Sequence, residues 1–472
     1  MELDPVLLAR VQFAFTISFH IIFPSFTIGL AAWIATLEGI WLATKNDRYH
    51  ELARFWTKVF AVSFAMGVVS GIVLSYQFGT NWSRYAEVVG NVVAPLIGYE
   101  VLTAFFLEAT FLGIMLFGWN RVPPWLHFLA CLIVAVGTCI SAFWILSANS
   151  WMQFPTGHEM RDGIAYPANW LDIIFSPTFP IRYFHMVLGA FITTAFVVFA
   201  VGARWWLKGQ SIAQAETAMK MALGLLIVLV PIQGYVGDTA GELVRDHQPA
   251  KLAAIEAHWG GEETPGAGVP LVVFAIPNEA TETNDFQIAI PHLGSLIVTR
   301  SWDGTFPGLK TFPPEDRPPL LPPFFGFRIM VGLWALMLLT VVVGGILWAR
   351  GRLFSAGLYL KAVSLMWPIG FVTVIAGWFV TEIGRQPWIA TGILRTADAI
   401  SPVPVGSLVF SLVLFVIVYA IVFSAGIYYI NRLINKGPAS VSHADEGEGD
   451  DGLRRPISAA HDAGRTAMHP GE

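Results

Sequence analysis

Phe324-Phe325-Gly326-Phe327-Arg328-Ile329-Met330-Val331-Gly332-Leu333-Trp334-Ala335-Leu336-Met337-Leu338-Leu339-Thr340-Val341-Val342-Val343-Gly344-Gly345-Ile346-Leu347-Trp348 is an unbroken apolar run whose one charge is Arg328. About 20 apolar residues of helix cross a bilayer core, and only a helix satisfies its own backbone there within one segment. The pattern recurs along the chain, at about residues 11–43, 55–78, 93–117, 125–148, 183–207, 218–236, 324–348, 363–380 and 408–429. With 55% apolar and 13% charged residues among 472, the chain reads as an all-α integral membrane protein of about nine transmembrane helices.

Cationic residues gather in alternate connections: Lys45, Arg48, Arg54 and Lys58; Arg121; Arg204, Lys208 and Lys220; Arg350, Arg352 and Lys361; Arg432 and Lys436. Such connections are cytoplasmic by the positive-inside rule, which predicts an N-terminus outside and a C-terminus inside. The acidic opening Met1-Glu2-Leu3-Asp4 lacks a basic stretch, so the first helix is expected to be a retained anchor. The net charge of −5 gives no reason to expect a nucleic-acid partner. Of the two cysteines, Cys131 and Cys139 stand about 12 Å apart on one helix, too far for a disulfide. No Cys-x-x-Cys-His attaches a haem covalently.

The expected organisation is helices one to six over 1–236, a long outer-face loop over 237–323, helices seven to nine over 324–436, and a disordered cytoplasmic tail over 437–472. The loop holds a helix-like segment at 249–259, an apolar run at 269–276 and a stiff proline-rich end, Phe312 to Pro319. In the helix-like segment Leu252, Ile255 and Trp259 form an apolar stripe suited to the membrane surface. Lys251 and Glu256 project from its sides, a hydrogen-bond donor and an acceptor within reach of an apolar slot; an ordinary solvated charge pair is the alternative reading.

Ionisable groups inside spanning helices are rare and functional by default. His20 lies in the outer half of the first helix, His185 and Met330 near the outer ends of the fifth and seventh, and Glu382 at the outer end of the eighth. His and Met on separate helices at similar depth can clamp one haem iron as a six-coordinate, low-spin centre; plain packing is the ordinary role of such a Met. Arg385, in Gly384-Arg385-Gln386-Pro387-Trp388, and Arg328 offer forks for a cofactor carboxylate or simply reach toward the interface. Glu100 and Glu108, about 12 Å and about 80° apart on an ideal helix, make a stepped pair for proton relay or a structural hydrogen bond. Glu38 and His127 are expected at the cytoplasmic interface.

Gly79-Thr80-Asn81-Trp82, Ala104-Phe105-Phe106-Leu107-Glu108, Lys251-Leu252-Ala253-Ala254-Ile255-Glu256, Phe327-Arg328-Ile329-Met330 and Gly384-Arg385-Gln386-Pro387-Trp388 together resemble subunit I of the cytochrome bd-type quinol oxidases, over nearly the whole chain before the tail. The resemblance implies His185 and Met330 as ligands of a low-spin haem b, and His20 and Glu382 as ligands of two high-spin haems, one haem b and one haem d or a further haem b. It implies a quinol substrate oxidised at the loop, with Lys251 and Glu256 at the motif positions, and reduction of dioxygen to water. The implied partners are a second membrane subunit of similar size and, in some members, a small single-helix subunit. The chain is a short-loop form, and Pro249-Ala250-Lys251 through His258-Trp259 and the spacer Glu315-Asp316-Arg317-Pro318-Pro319 are especially similar to the cyanide-insensitive branch. Asn120 departs from the acid some members carry there. The competing readings are a transporter coupled through Glu100, Glu108 and Glu382, for which no inverted repeat is visible, and an electron-transfer cytochrome without oxygen chemistry.

Overall fold

The computed structural model describes residues 4–260 and 268–438; the stretch expected to be a disordered tail lies almost wholly outside them. Proline and polar caps set the first helices. Asp4 accepts the Val6 amide at 2.9 Å and Pro5 opens α1 (Pro5–Ile22), while Pro24, lacking an amide hydrogen, opens α2 (Pro24–Thr44), so one apolar run becomes two helices end to end. Asn46 caps α3 (Asp47–Thr80). The next run is α4 (Ser83–Glu100) and α5 (Phe106–Phe117), joined by a wide π turn at Val101–Phe105. Beyond α6 (Pro124–Gln153) stand a hairpin of β1 (His158–Arg161) and β2 (Ile164–Pro167), and the short α7 (Trp170–Ile174).

Two long helices follow, α8 (Phe179–Lys208) and α9 (Ile212–His247), and the loop then folds as α10 (Pro249–Glu256), the antiparallel β3 (Leu271–Asn278) and β4 (Thr283–Ile290), and α11 (Leu293–Thr299). The last spans are α12 (Leu321–Ala349), the pair α13 (Gly357–Ser364) and α14 (Ile369–Ile383), bent by 46°, and α15 (Val405–Lys436). A small hairpin, β5 (Trp388–Ala390) with β6 (Leu394–Arg395), lies between α14 and α15. Among the described residues 8 helical segments are long and apolar enough to cross a membrane, 9 with the bent pair. The expected number is thus met. One boundary moves: the sixth helix runs to His247 rather than stopping at Val236, because Gly237 and the polar turn after it stay helical, and the loop begins at Gln248.

α8 is the axis of the bundle: 78% of its apolar window is enclosed, against 17–39% for the other seven segments. It packs on α2, α9, α13 and α14, and the large buried rings Trp56, Trp205, Phe55, Phe196 and Phe199 fill the core around it. The α2 contact is close because Gly29 has no side chain: a Cβ there stands 2.5 Å from Thr194 Oγ1 and 2.8 Å from the Ala190 carbonyl. Thr194 in turn donates to the Phe26 carbonyl at 2.7 Å. Gly29→Ala is therefore expected to overpack the crossing and cost about 1–3 kcal/mol, read as a lowered thermal midpoint in detergent; an unchanged midpoint means α2 and α8 do not approach this closely.

Candidate functional site

The expected ligands sit where glycines open the facing helix. His20, just before the Pro24 break, lies with Nδ1 3.0 Å from Ser70 Oγ on α3, and the missing Cβ of Gly71 leaves room for its ring, 3.1 Å from Cε1. His185 on α8 faces Gly237 on α9, whose Cβ position is 3.2 Å from its Cε1. Met330 on α12 sets its sulfur 3.0 Å from the Cβ position of Gly377 on α14. The helices α8, α9, α12 and α14 pack in a ring, each on the next. His185 and Met330 belong to this one four-helix group, about 9 and 14 Å along helices that start from the same side.

Glu382 ends α14 inside a dense polar network. It accepts from Asn149 Nδ2 at 3.1 Å and Gln153 Nε2 at 3.2 Å, both on the last turns of α6, and from Arg385 Nη2 at 2.6 Å. Arg182, at the start of α8, donates to Asn149 Oδ1 and, at 2.8 Å, to Ser150 Oγ. Lys251 Nζ donates to Gln153 Oε1 at 2.5 Å and Gln248 Oε1 at 2.7 Å. Arg182, Lys251 and Arg385 thus surround one carboxylate, and among the described residues Arg385 has no acceptor for two buried donors, Nε and Nη1. Buried cations demand counter-charge; the surplus here fits an added anionic group such as the carboxylates of a haem.

The acid pair is reshaped by the π turn. One extra residue of winding takes up about 100°, so Glu100 and Glu108 come within about 20° of each other rather than the 80° of a plain helix. Both therefore meet α6: Ser141 Oγ donates to Glu100 Oε1 at 2.9 Å, and one turn earlier Gly137 leaves the gap that Glu108 fills, its Cβ position 2.8 Å from Glu108 Cγ. Glu108 is buried, with Oε1 unpartnered.

Residues 8–438 match the family described as cytochrome bd terminal oxidase subunit I. The chain belongs to that family. It is 35% identical over 453 residues to cytochrome bd ubiquinol oxidase subunit 1 of Bacillus subtilis (strain 168), covering 94% of this chain and 96% of the relative. It is 32% identical to cytochrome bd-II ubiquinol oxidase subunit 1 of Escherichia coli (strain K12), over 93% of this chain and 98% of that one. Its fold superposes on the bd oxidase from Geobacillus thermodenitrificans with a TM-score of 0.84 and 28% identity, over 92% of this chain and 99% of that one. The chain is a terminal-oxidase subunit with the helical membrane fold of a cytochrome bd, and the transporter reading falls away.

Within this cytochrome bd fold three expectations are corrected. The loop helix is no surface stripe: Lys251 through Glu256 are all buried, the helix stops at Glu256 because Ala257 takes a left-handed φ of 48°, and Trp259 lies beyond it, donating to Asn284 Oδ1 at 3.0 Å. Lys251 and Glu256 also diverge. Lys251 joins the Glu382 network, whereas Glu256 Oε2 accepts from Arg328 Nη2 at 3.2 Å. Burial, with Arg182 adding to it, holds Lys251 well below the ordinary lysine range against the pull of Glu382; burial pushes Glu256 upward against Arg328. Second, the donors of Arg328 go to protein acceptors: the Val272 carbonyl at 3.0 and 2.6 Å, the Ile255 and Phe324 carbonyls, and Glu256. It clasps the loop, while Arg385 is the arginine with donors to spare. Third, Glu38 and His127 are buried rather than interfacial, Glu38 Oε2 lying 3.3 Å from His127 Nδ1 and Oε1 3.5 Å from His50 Nδ1.

The residues missed by sequence reasoning are Asn149, Gln153, Arg182 and Gln248. Asn149 and Gln153, four apart at the end of an apolar run, carried a signal, since amides there need partners. Lys251→Met strips Gln153 of a buried donor; with Glu382 as a candidate haem ligand, the expected outcome is shifted absorption bands as well as slower turnover, whereas Glu256→Gln should leave every band in place. Spectra of the two purified variants decide it; unshifted bands in Lys251→Met uncouple the loop helix from Glu382.

Proposed function

We propose that this chain is the haem-carrying subunit of a terminal oxidase in a bacterial inner membrane, passing electrons from quinol to dioxygen: two quinols give four electrons and four protons, and dioxygen with four further protons gives two waters. The observation that carries the reading is the cationic surplus around Glu382, with two buried, unpartnered donors on Arg385, beside the glycine clefts facing His20, His185 and Met330. His185 and Met330 would hold a low-spin haem b, and His20 and Glu382 the high-spin haem b and a haem d, or a second high-spin haem b in its place. The haems, when bound, supply one-electron transfer and an iron at which dioxygen is reduced.

This chain's own residues do the rest. The loop over 248–320 faces the periplasm, in keeping with the cationic connections on the opposite side. Glu256, inclined by burial toward its neutral form yet hydrogen-bonded to Arg328, is suited to take a hydroxyl proton from quinol and pass it outward. Glu100 and Glu108, turned to one face of α6, hand protons from the cytoplasmic side toward the site, so that charge separates across the membrane without a pump. The active enzyme includes a second membrane subunit beside this one.

Reduced-minus-oxidised and carbon monoxide difference spectra, with quinol-driven oxygen uptake, test the reading: a low-spin haem b band and a carbon monoxide-reactive haem are expected, and the absence of the latter leaves an electron-transfer cytochrome. His185→Ala should abolish the low-spin band and quinol oxidation, while Met330→Leu, alike in shape but without sulfur, should retain haem with an altered spin state or potential; a normal low-spin spectrum in both removes the pair. Glu108→Gln, which cannot exchange a proton at neutral pH, should slow turnover at least about tenfold with full haem content; unchanged turnover ends its part in the relay.

A further inference from the structure

The side chain that faces the ring of His185 is a glutamine. Gln233 on α9 places Nε2 3.3 Å from His185 Nδ1 and 3.0 Å from the His185 carbonyl. Its amide oxygen, Oε1, is buried and has no partner. Gly237, one turn along the same face of α9, leaves space for the imidazole, and Gly189 on α8 leaves space for the glutamine, its Cβ position 3.7 Å from Nε2. The pocket is thus shaped around one amide and one imidazole.

An imidazole binds iron through a nitrogen that carries no proton, and the hydrogen bond made by the other nitrogen decides which one that is. With Nε2 of the glutamine against Nδ1, the histidine keeps its proton on its own Nε2, which then has no lone pair to offer. Half a turn of the carboxamide about Cγ–Cδ exchanges the two amide atoms. Oε1 then accepts from Nδ1–H, its missing partner is found, and the outer nitrogen of His185 is free to ligate. The glutamine then no longer donates to the His185 carbonyl, and Oε1 must swing from that oxygen, now 3.0 Å from Nε2, toward Nδ1 so that two acceptors do not meet.

We infer that Gln233 is a positioning residue for the low-spin haem: its carboxamide oxygen accepts the Nδ1 proton of His185, fixing the ring and raising its basicity as a ligand. This rests on His185 being an axial ligand, and the test separates the two. Redox titration and electron paramagnetic resonance of the purified oxidase are recorded for Gln233→Leu, Gln233→Glu, Gln233→Asn and His185→Ala. A stronger acceptor makes a more basic imidazole and favours the oxidised iron, so Gln233→Glu should lower the midpoint potential of the low-spin haem. Gln233→Leu has no acceptor and should raise it, with altered g-values and a haem affinity lower by about 10–100-fold. Gln233→Asn, one methylene short, should follow leucine. A merely structural role moves all three in one direction. Potentials and g-values equal to wild type in leucine and glutamate variants, with the low-spin signal lost in His185→Ala, overturn the role of Gln233; a low-spin signal that survives His185→Ala overturns the ligand reading beneath it.

Discussion

The structure depends on gathering buried basic side chains around one carboxylate at the place where the loop meets the spans. Lys251 comes from the loop helix, Arg182 from the start of α8 and Arg385 from the turn after α14, and all converge on Glu382 and the amides of Asn149 and Gln153. Removing one partner from such a set leaves an uncompensated buried charge, at a cost of several kcal/mol. The network therefore fixes the ends of α6, α8 and α14 relative to one another, and with them the directions of the side chains they carry. Gln248 strengthens the joint by donating to the Gln153 carbonyl at 2.9 Å, so that the loop begins already anchored.

The spans were legible because hydrocarbon leaves so little choice: an apolar run of sufficient length is a helix or it is unstable. His20, His185, Met330 and Glu382 stood out for the same reason, as polar or sulfur-bearing groups among residues that had no need of them. What sequence periodicity could not supply was local winding. The π turn at Val101–Phe105 follows no composition rule, since its residues are as helix-compatible as their neighbours, yet it alone brings Glu100 and Glu108 to one face. Nor did the long loop declare its burial. Leu252, Ile255 and Trp259 have helical spacing, but α10 ends before Trp259 and is covered on every side by the spans and by the segment around Leu309 and Leu320.

Glu38, His50 and His127 teach the converse. Read singly, each charge near a helix end belongs to the interface. Together they form a buried carboxylate between two imidazoles, enclosed by Trp41, stacked on His50 at 4.2 Å, and by Trp119, 4.1 Å from His127. The pairing comes from three different helices, α2, α3 and α6, and long-range pairing of this kind has no periodic trace in a single sequence.

Two basic side chains tie α10 down from opposite sides, and through them α10 is coupled to two candidate ligands. Lys251 ties the helix to Gln153, and Gln153 holds Glu382; Arg328 ties its far end through Glu256 and the Ile255 carbonyl, two residues from Met330 on the same helix. A substrate that displaces either side chain must alter the surroundings of a candidate ligand. Because both acceptors are buried, water cannot take over the lost hydrogen bonds, and the displacement is felt along the network rather than dissipated at the surface. A loop built this way is coupled to the groups beside both candidate ligands, so a displacement of the loop helix is carried to Glu382 and to the turn before Met330.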